Sequence, residues 1–227
     1  MQTFTLARVV VVLAFPILSL GAQINDPGSG TLRDRDALGL WIGVAHSSVS
    51  APLGNATGMD LALAAVRWTH SMLQSSDYSI DYVFDLVPVA FVSIPLSSDS
   101  SSSGIGCQAG NPCALRALFT DQRAVFGAGA MPLGFQFRFA PHGRLQPFAS
   151  ASGGLLWFTD RVPDRESARL NFAAELGVGI VAMLGSRAGL LCGYRFHHLS
   201  NGGTAPSNPG VDSNLLYVGV TSMIRRD

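Results

Sequence analysis

Charged residues are scarce in this sequence. Asp, Glu, Lys and Arg make up 13% of its 227 residues, against about 25% in ordinary soluble domains. Neither sign dominates, because 15 basic residues balance 15 acidic ones and the formal net charge is zero. Binding to nucleic acid requires a basic stripe that neutralises phosphates. The composition therefore argues against nucleic acid as a partner.

Long hydrophobic runs are also missing, although the mean hydropathy is +0.30. After residue 20 no stretch approaches the roughly 20 apolar residues that a membrane-spanning helix needs. Residues 1–22 have the pattern of a signal peptide, with Arg8, an apolar stretch over 9–20 and small residues before a cleavage site at Ala22. The alternative is an N-terminal strand or buried helix. An exported, apolar chain without helical spans predicts a transmembrane β-barrel.

Cysteine occurs only three times. Cys107 and Cys113 lie close together, and two close cysteines in an exported protein pair more often than they bind metal. We therefore expect a disulfide between them. Cys192 is left over and is expected to be a small buried hydrophobe. No zinc, calcium or phosphate-binding motif is present, so no metal or organic cofactor is expected.

Strand-like segments recur after a polar lead-in over residues 23–36. Each is long enough to cross a bilayer, because a tilted strand needs only about 9–11 residues. The predicted fold is all-β, an eight-stranded antiparallel transmembrane β-barrel over residues 37–227. The eight predicted strands are 37–47, 58–71, 78–92, 125–139, 145–158, 169–184, 187–200 and 212–225.

Alternation along these segments supports the barrel. In the sixth, Phe172 and Leu176 share an apolar face, and Asn171 and Glu175 share the opposite one, as in a barrel with a lipid-facing wall. The fourth changes phase near Pro132, which predicts a bulge. Short connections alternate with long ones, which predicts periplasmic turns and outer loops.

Ionisable residues on the inner phase need partners. The alternation places Glu175 and Arg195 inside, with Asp81 and Asp85 beside them. An eight-stranded barrel is filled by side chains and holds no channel. We therefore expect an internal ion-pair network and no pore.

The end of the seventh segment carries a candidate site. Residues two apart in a strand share a face, so His198 and Ser200 lie on one side with Cα atoms about 6.5–7 Å apart. A turn-rich loop follows, and Asp212 opens the next strand. These three residues provide a nucleophile, a base and a base-orienting acid. Most His-x-Ser pairs at strand ends carry no chemistry, but here all three fall on the apolar phase, where a lipid would be the substrate.

The stretch resembles a known family, the outer-membrane lipid A 3-O-deacylases (PagL-like, also called acyloxyacyl hydrolases). The resemblance rests on His198-Leu199-Ser200-Asn201, on Asn208-Pro209-Gly210-Val211 and on an acid twelve residues past the serine. It implies an eight-stranded barrel with its site on the lipid-facing exterior.

The resemblance also assigns roles. It implies Ser200 as nucleophile, His198 as general base, Asp212 as orienting acid, and Asn201 with the Gly202 amide as oxyanion hole. A known member of this family has Glu at the acid position, and Asp is one methylene shorter. Either the backbones approach more closely here or the triad is weaker.

We therefore expect an ester hydrolase that removes the 3-O-acyl chain of lipid A, with lipopolysaccharide in the outer leaflet of the bacterial outer membrane as its partner. Two alternatives stay open. One is a non-enzymatic structural or adhesive barrel with an inert remnant of the site. The other is an esterase or phospholipase acting on another lipid. The sequence does not indicate an oligomeric state.

Overall fold

The structure, a computed structural model, describes residues 36–47, 52–95 and 122–224. Every strand end lies within four residues of its predicted position. The signal peptide, the lead-in before residue 36 and the Cys107–Cys113 disulfide fall outside the described residues and stay predictions. The strands are β1 (Asp36–His46), β2 (Asp60–Gln74), β3 (Tyr78–Pro95), β4 (Gln122–Phe139), β5 (Leu145–Val162), β6 (Ala168–Met183), β7 (Ala188–Ser200) and β8 (Val211–Met223).

The eight strands form one closed antiparallel barrel in chain order. Closure is made by β1, which pairs with β2 on one side and with β8 on the other. Trp41, for example, lies between Ala65 and Gly219. The predicted fold class is confirmed. No helix in the described part of the chain is long and apolar enough to cross a membrane.

The outer wall of the barrel is apolar. Outward side chains alternate with inward ones along each strand, and the outward set includes many large hydrophobic residues. This wall matches the lipid-facing band of a membrane barrel. Cys192 lies on the same wall and is exposed, so its predicted burial is wrong. Large exposed residues include Leu133, Phe135, Trp157, Phe172, Leu176, Val178, Leu216 and Val218.

The predicted bulge in β4 is present. Its pairing with β5 shifts register between Ala130 and Leu133. Pro132, which has no N–H to donate to the ladder, lies inside this irregularity. The shift keeps Phe126 and Phe135 on the same outer wall although they are an odd number of residues apart. The bulge therefore reconciles the two phases seen in the sequence.

The lumen is filled by side chains. Glu175 accepts hydrogen bonds from Ser152 Oγ at 2.7 Å, Arg195 Nη1 at 2.8 Å and His197 Nδ1 at 2.9 Å. Asp85 accepts two hydrogen bonds from Arg67, at 2.8 and 2.6 Å. This is the internal network that the inner phase predicts.

Aromatic rings complete the network. The Arg195 guanidinium lies 4.7 Å from the ring centre of Trp41 and 4.3 Å from that of Tyr217. Arg195 also lies 3.5 Å from Asp85, which links the two carboxylates through one cation. Apolar side chains such as Leu156, Phe158 and Leu215 fill other parts of the lumen. The strands that carry the candidate site are therefore backed by a filled interior.

The two ends of the barrel differ. Short connections over 75–77, 140–144 and 184–187 form one end, here called the turn end. The longer connections over 47–59 and 201–210 lie at the other, the loop end. Because β7 ends at Ser200 and β8 begins at Val211, the candidate site lies at the loop end.

Candidate active site

The candidate base and acid face each other across two strands. In the β7–β8 ladder His198 lies directly opposite Asp212. His198 lies on the outward phase of β7, and its side chain is 18% exposed. Asp212 lies on the outward phase of β8 but is buried, with a side chain only 1% exposed. The structure therefore brings these two predicted residues together on the outer wall.

A short hydrogen bond joins them. His198 Nδ1 lies 2.5 Å from Asp212 Oδ1. Since an ionised carboxylate only accepts hydrogen bonds, the proton in this bond belongs to Nδ1. The Nε2 atom of His198 then carries a lone pair, and no hydrogen bond within the described chain uses it. This is the tautomer that a general base needs.

The shorter acid is accommodated by strand pairing. Directly opposed residues in an antiparallel pair have Cβ atoms only about 4.5–5.5 Å apart. From that position the carboxylate of Asp212 reaches Nδ1 without the extra methylene of Glu. Of the two explanations that the sequence leaves open, the geometry favours close backbone approach.

A segment that the sequence analysis missed covers the second carboxylate oxygen. The N–H groups of Leu53 and Gly54 donate to Asp212 Oδ2 at 2.7 and 2.9 Å. Pro52-Leu53-Gly54-Asn55 looks only like a turn in the sequence. Its contact with a residue 158 positions away leaves no local pattern.

Ser200 lies beside the His–Asp pair and faces the same way. It occupies the last position of β7, two residues after His198, and pairs with Phe172 of β6. Its side chain is partly exposed, and its hydroxyl makes no hydrogen bond with any described residue. The hydroxyl is therefore free to turn toward either His198 or a ligand, and catalytic hydrogen bonds often tighten only when substrate binds.

The side chain of Asn201 makes hydrogen bonds within the β7–β8 loop. Its side chain is buried, Nδ2 donates to the Ser207 carbonyl at 2.6 Å, and Oδ1 accepts from the Gly203 N–H at 2.9 Å. Both ends of the amide are therefore engaged in holding the β7–β8 loop. The expected oxyanion-hole role of Asn201 stays a prediction.

The surroundings of Gly202 are compatible with its expected role as an oxyanion-hole donor. It is exposed, and no hydrogen bond in the described ranges uses its N–H. Its φ of 63° is in the left-handed region that favours glycine. A Cβ at this position would lie 3.0 Å from the Phe172 ring, so the glycine also leaves room beside Ser200.

The β7–β8 loop is held by hydrogen bonds to the β5–β6 connection over residues 163–167. Ser207 Oγ donates to Asp164 Oδ2 at 2.6 Å, and Ser207 N–H donates to the Glu166 carbonyl at 3.3 Å. Burial raises the pKa of Asp164, but hydrogen bonds from Ser207 and Ser167 outweigh burial and hold the pKa below its usual value. An ionised Asp164 is thus a firm acceptor for the loop.

Among the described residues, potential metal ligands are not grouped near this site. Across the described ranges no three His, Cys, Asp or Glu side chains lie together as a metal site would require. His198 and Asp212 form a pair, and the third member of the site is a hydroxyl. The arrangement has the parts of a serine hydrolase: a hydroxyl, an imidazole and an orienting carboxylate.

Comparison with known proteins identifies a family and similar structures. The family described as lipid A 3-O-deacylase (PagL) matches residues 64–221. No curated protein matches the chain. The crystal structure of the outer membrane enzyme PagL is 17% identical, with a TM-score of 0.55, covering 80% of this chain and 97% of that one.

Two other solved structures match with lower scores. Neisserial surface protein A is 12% identical, with a TM-score of 0.47, and covers 83% of this chain and 97% of its own. OprG from Pseudomonas aeruginosa is 11% identical, with a TM-score of 0.44, and covers 86% of this chain and 98% of its own.

The family match spans more than half of the sequence and includes His198, Ser200 and Asp212. The chain belongs to the lipid A 3-O-deacylase (PagL) family.

Proposed function

We propose that this protein hydrolyses the ester-linked 3-O-acyl chain of lipid A in the outer leaflet of the outer membrane, using a Ser200–His198–Asp212 triad. The observation that carries the proposal is the hydrogen bond from His198 Nδ1 to Asp212 Oδ1 at 2.5 Å, with Ser200 next to it on the same outer face. The family match supports lipid A as the substrate.

In the first half of the reaction Ser200 Oγ attacks the ester carbonyl carbon, and His198 Nε2 takes the hydroxyl proton. The tetrahedral intermediate collapses, and His198 returns the proton to the departing sugar oxygen. The products are an acyl-enzyme on Ser200 and the free 3-hydroxyl. Asp212 keeps the imidazole in the required tautomer and stabilises its protonated form.

In the second half His198 takes a proton from water, which attacks the acyl-enzyme carbonyl. Collapse releases the fatty acid and restores Ser200. During both halves an oxyanion forms beside the serine. The free N–H of Gly202 is the donor that we assign to it, since such donors stabilise the developing charge.

The substrate would lie along the outer wall. Phe172 pairs with Ser200, and Leu170 and Trp157 continue the exposed apolar surface on β6 and β5. An acyl chain can lie against this surface while its ester reaches the serine. Because the site faces lipid, we expect a soluble ester to be a poor substrate.

Assay of the purified barrel in mixed micelles tests the proposal. We expect mass spectrometry to show loss of one hydroxyacyl chain from lipid A, and fragmentation to place the loss at the 3-position. Diacyl phospholipid should stay intact. Phospholipid cleavage without lipid A cleavage would favour the phospholipase alternative, and no cleavage of either lipid would favour a structural barrel.

Lengthening the acid should weaken the enzyme. Asp212→Glu adds a methylene to a buried side chain whose two oxygens already bind His198 and the Leu53–Gly54 amides. We expect deacylation to fall by about 10–100-fold, because misplacing a catalytic group by about 1 Å costs up to about 10²-fold. A rate above that of the wild type, measured on lipid A micelles, would show that the shorter acid is suboptimal here.

A further inference from the structure

We infer that residues 53–56 form an acid clamp that positions Asp212 for catalysis, with Gly54 as its key positioning residue. The catalytic role of the clamp rests on the proposed function. The clamp itself is defined by hydrogen bonds and does not depend on that function. These residues precede the region over which the family match extends, which begins at residue 64.

Four successive N–H groups tie this segment to the start of β8. Leu53 and Gly54 donate to Asp212 Oδ2 at 2.7 and 2.9 Å. Asn55 donates to the Pro209 carbonyl at 2.6 Å, and Ala56 donates to the Gly210 carbonyl at 3.0 Å. The clamp therefore binds both the carboxylate and the backbone that leads into it.

The clamp is held from its other side as well. Ser47 N–H donates to the Met59 carbonyl at 2.8 Å, and Met59 N–H donates to Ser47 Oγ at 2.8 Å. Gly58 N–H donates to the Ser47 carbonyl at 3.1 Å. Met59 is buried in the apolar cluster of the lumen. These contacts fix the clamp to the end of β1 and to the barrel interior.

Two glycines allow the segments to approach. A Cβ on Gly54 would lie 2.9 Å from the Gly210 carbonyl carbon and 3.0 Å from Asp212 N, both of them backbone atoms. A Cβ on Gly210 would lie 3.2 Å from Gly54 Cα and 3.2 Å from His198 Cε1. Any side chain at position 54 would therefore push the clamp away from the acid.

The two carboxylate oxygens of Asp212 have separate hydrogen-bond partners, and this arrangement fixes the orientation of the carboxylate. Oδ1 of Asp212 serves His198, and Oδ2 is fixed by two backbone donors. With both oxygens held, the carboxylate does not rotate away from the imidazole. A buried carboxylate on a lipid-facing wall also needs donors that water does not supply there. The clamp provides them from the backbone, without a competing charge.

Gly54→Ala should lower kcat by up to about 100-fold, because a small displacement of a catalytic group has an effect of this size. KM should change little, since the acid does not contact the lipid. Gly185→Ala is the matched control, because its added methyl would meet nothing within 4 Å in a turn at the opposite end. We expect wild-type kcat from the control, and heat-dependent gel mobility should show both barrels folded.

A double-variant cycle separates positioning from general damage. If Gly54 acts through Asp212, then Gly54→Ala should add no further loss in an Asp212→Ala background. An equal loss in both backgrounds would overturn the positioning role. Wild-type kcat in folded Gly54→Ala would overturn it as well, while the proposed function would stand as long as Ser200→Ala is inactive.

A second measurement does not depend on activity. Amide hydrogen exchange of Leu53 and Gly54, followed by mass spectrometry, should be slow in the wild type and at least tenfold faster in Asp212→Ala. Unchanged exchange would show that the carboxylate does not hold these amides and would overturn the clamp. Faster exchange in a protein that never deacylates lipid A would keep the clamp and reject the proposed function.

Discussion

Replacing Ser200 with alanine should abolish deacylation, with a loss on the order of 10⁶-fold in kcat, the scale seen when a triad nucleophile is removed. His198→Asn should cost about as much, and the double variant should be no worse, because triad members act as one unit. The rate of lipid A deacylation in micelles measures both effects. Neither side chain enters the filled lumen, so the barrel should stay folded.

A second serine supplies the control for this prediction. Ser222 lies on the exposed wall of β8 at the turn end, paired with Leu38 and Ala188. Ser222→Ala should leave kcat unchanged. A fluorophosphonate probe should likewise label the wild type and Ser222→Ala but not Ser200→Ala. Labelling that persists after loss of Ser200 would place the nucleophile elsewhere.

Replacing Glu175 with alanine should cause a large loss in the free energy of unfolding of the barrel. Glu175→Ala leaves Arg195 and His197 in the lumen without their main acceptor, although Arg195 keeps its longer contact of 3.5 Å with Asp85. Breaking a buried ion pair by removing one partner costs about 3–5 kcal/mol of unfolding free energy. Urea unfolding of the barrel in lipid vesicles, followed by tryptophan fluorescence, measures the change.

An exposed pair provides the comparison. Asp60 contacts His46 at 2.7 Å, but the two side chains are 58% and 65% exposed. Asp60→Ala should lower the free energy of unfolding by at most about 1 kcal/mol, as for other surface pairs. If Glu175→Ala and Asp60→Ala have the same small effect, the lumen network does not support the barrel.

Much of the fold follows from the sequence because strand periodicity is simple. A period of two assigns inner and outer faces directly, which places Glu175 and Arg195 inside and His198 outside. Pro132 marks the bulge because proline cannot join the hydrogen-bond ladder. The position of Asp212 beside His198 is also predictable, because Asp212 is the first carboxylate of the strand that returns beside His198.

Other features depend on contacts that leave no local pattern. The clamp joins Gly54 to Asp212 through backbone amides. Such contacts restrict the residue type only at the glycine, so they are not visible as a sequence pattern. The resemblance implies a role for Asn201 in the oxyanion hole, and the hydrogen bonds of its side chain depend on the path of the loop back to Ser207. Cys192 looked like a core residue, yet in a membrane barrel the apolar face is the outer one.

Mass spectrometry of lipid A from cells that express the wild type, Ser200→Ala or no protein tests whether this protein deacylates lipid A through Ser200. Western blotting of outer-membrane fractions should show equal amounts of the two barrels. We expect lipid A that lacks one 3-O-hydroxyacyl chain in wild-type cells only. Identical lipid A in all three strains, or the same shortened lipid A with Ser200→Ala as with the wild type, would contradict it.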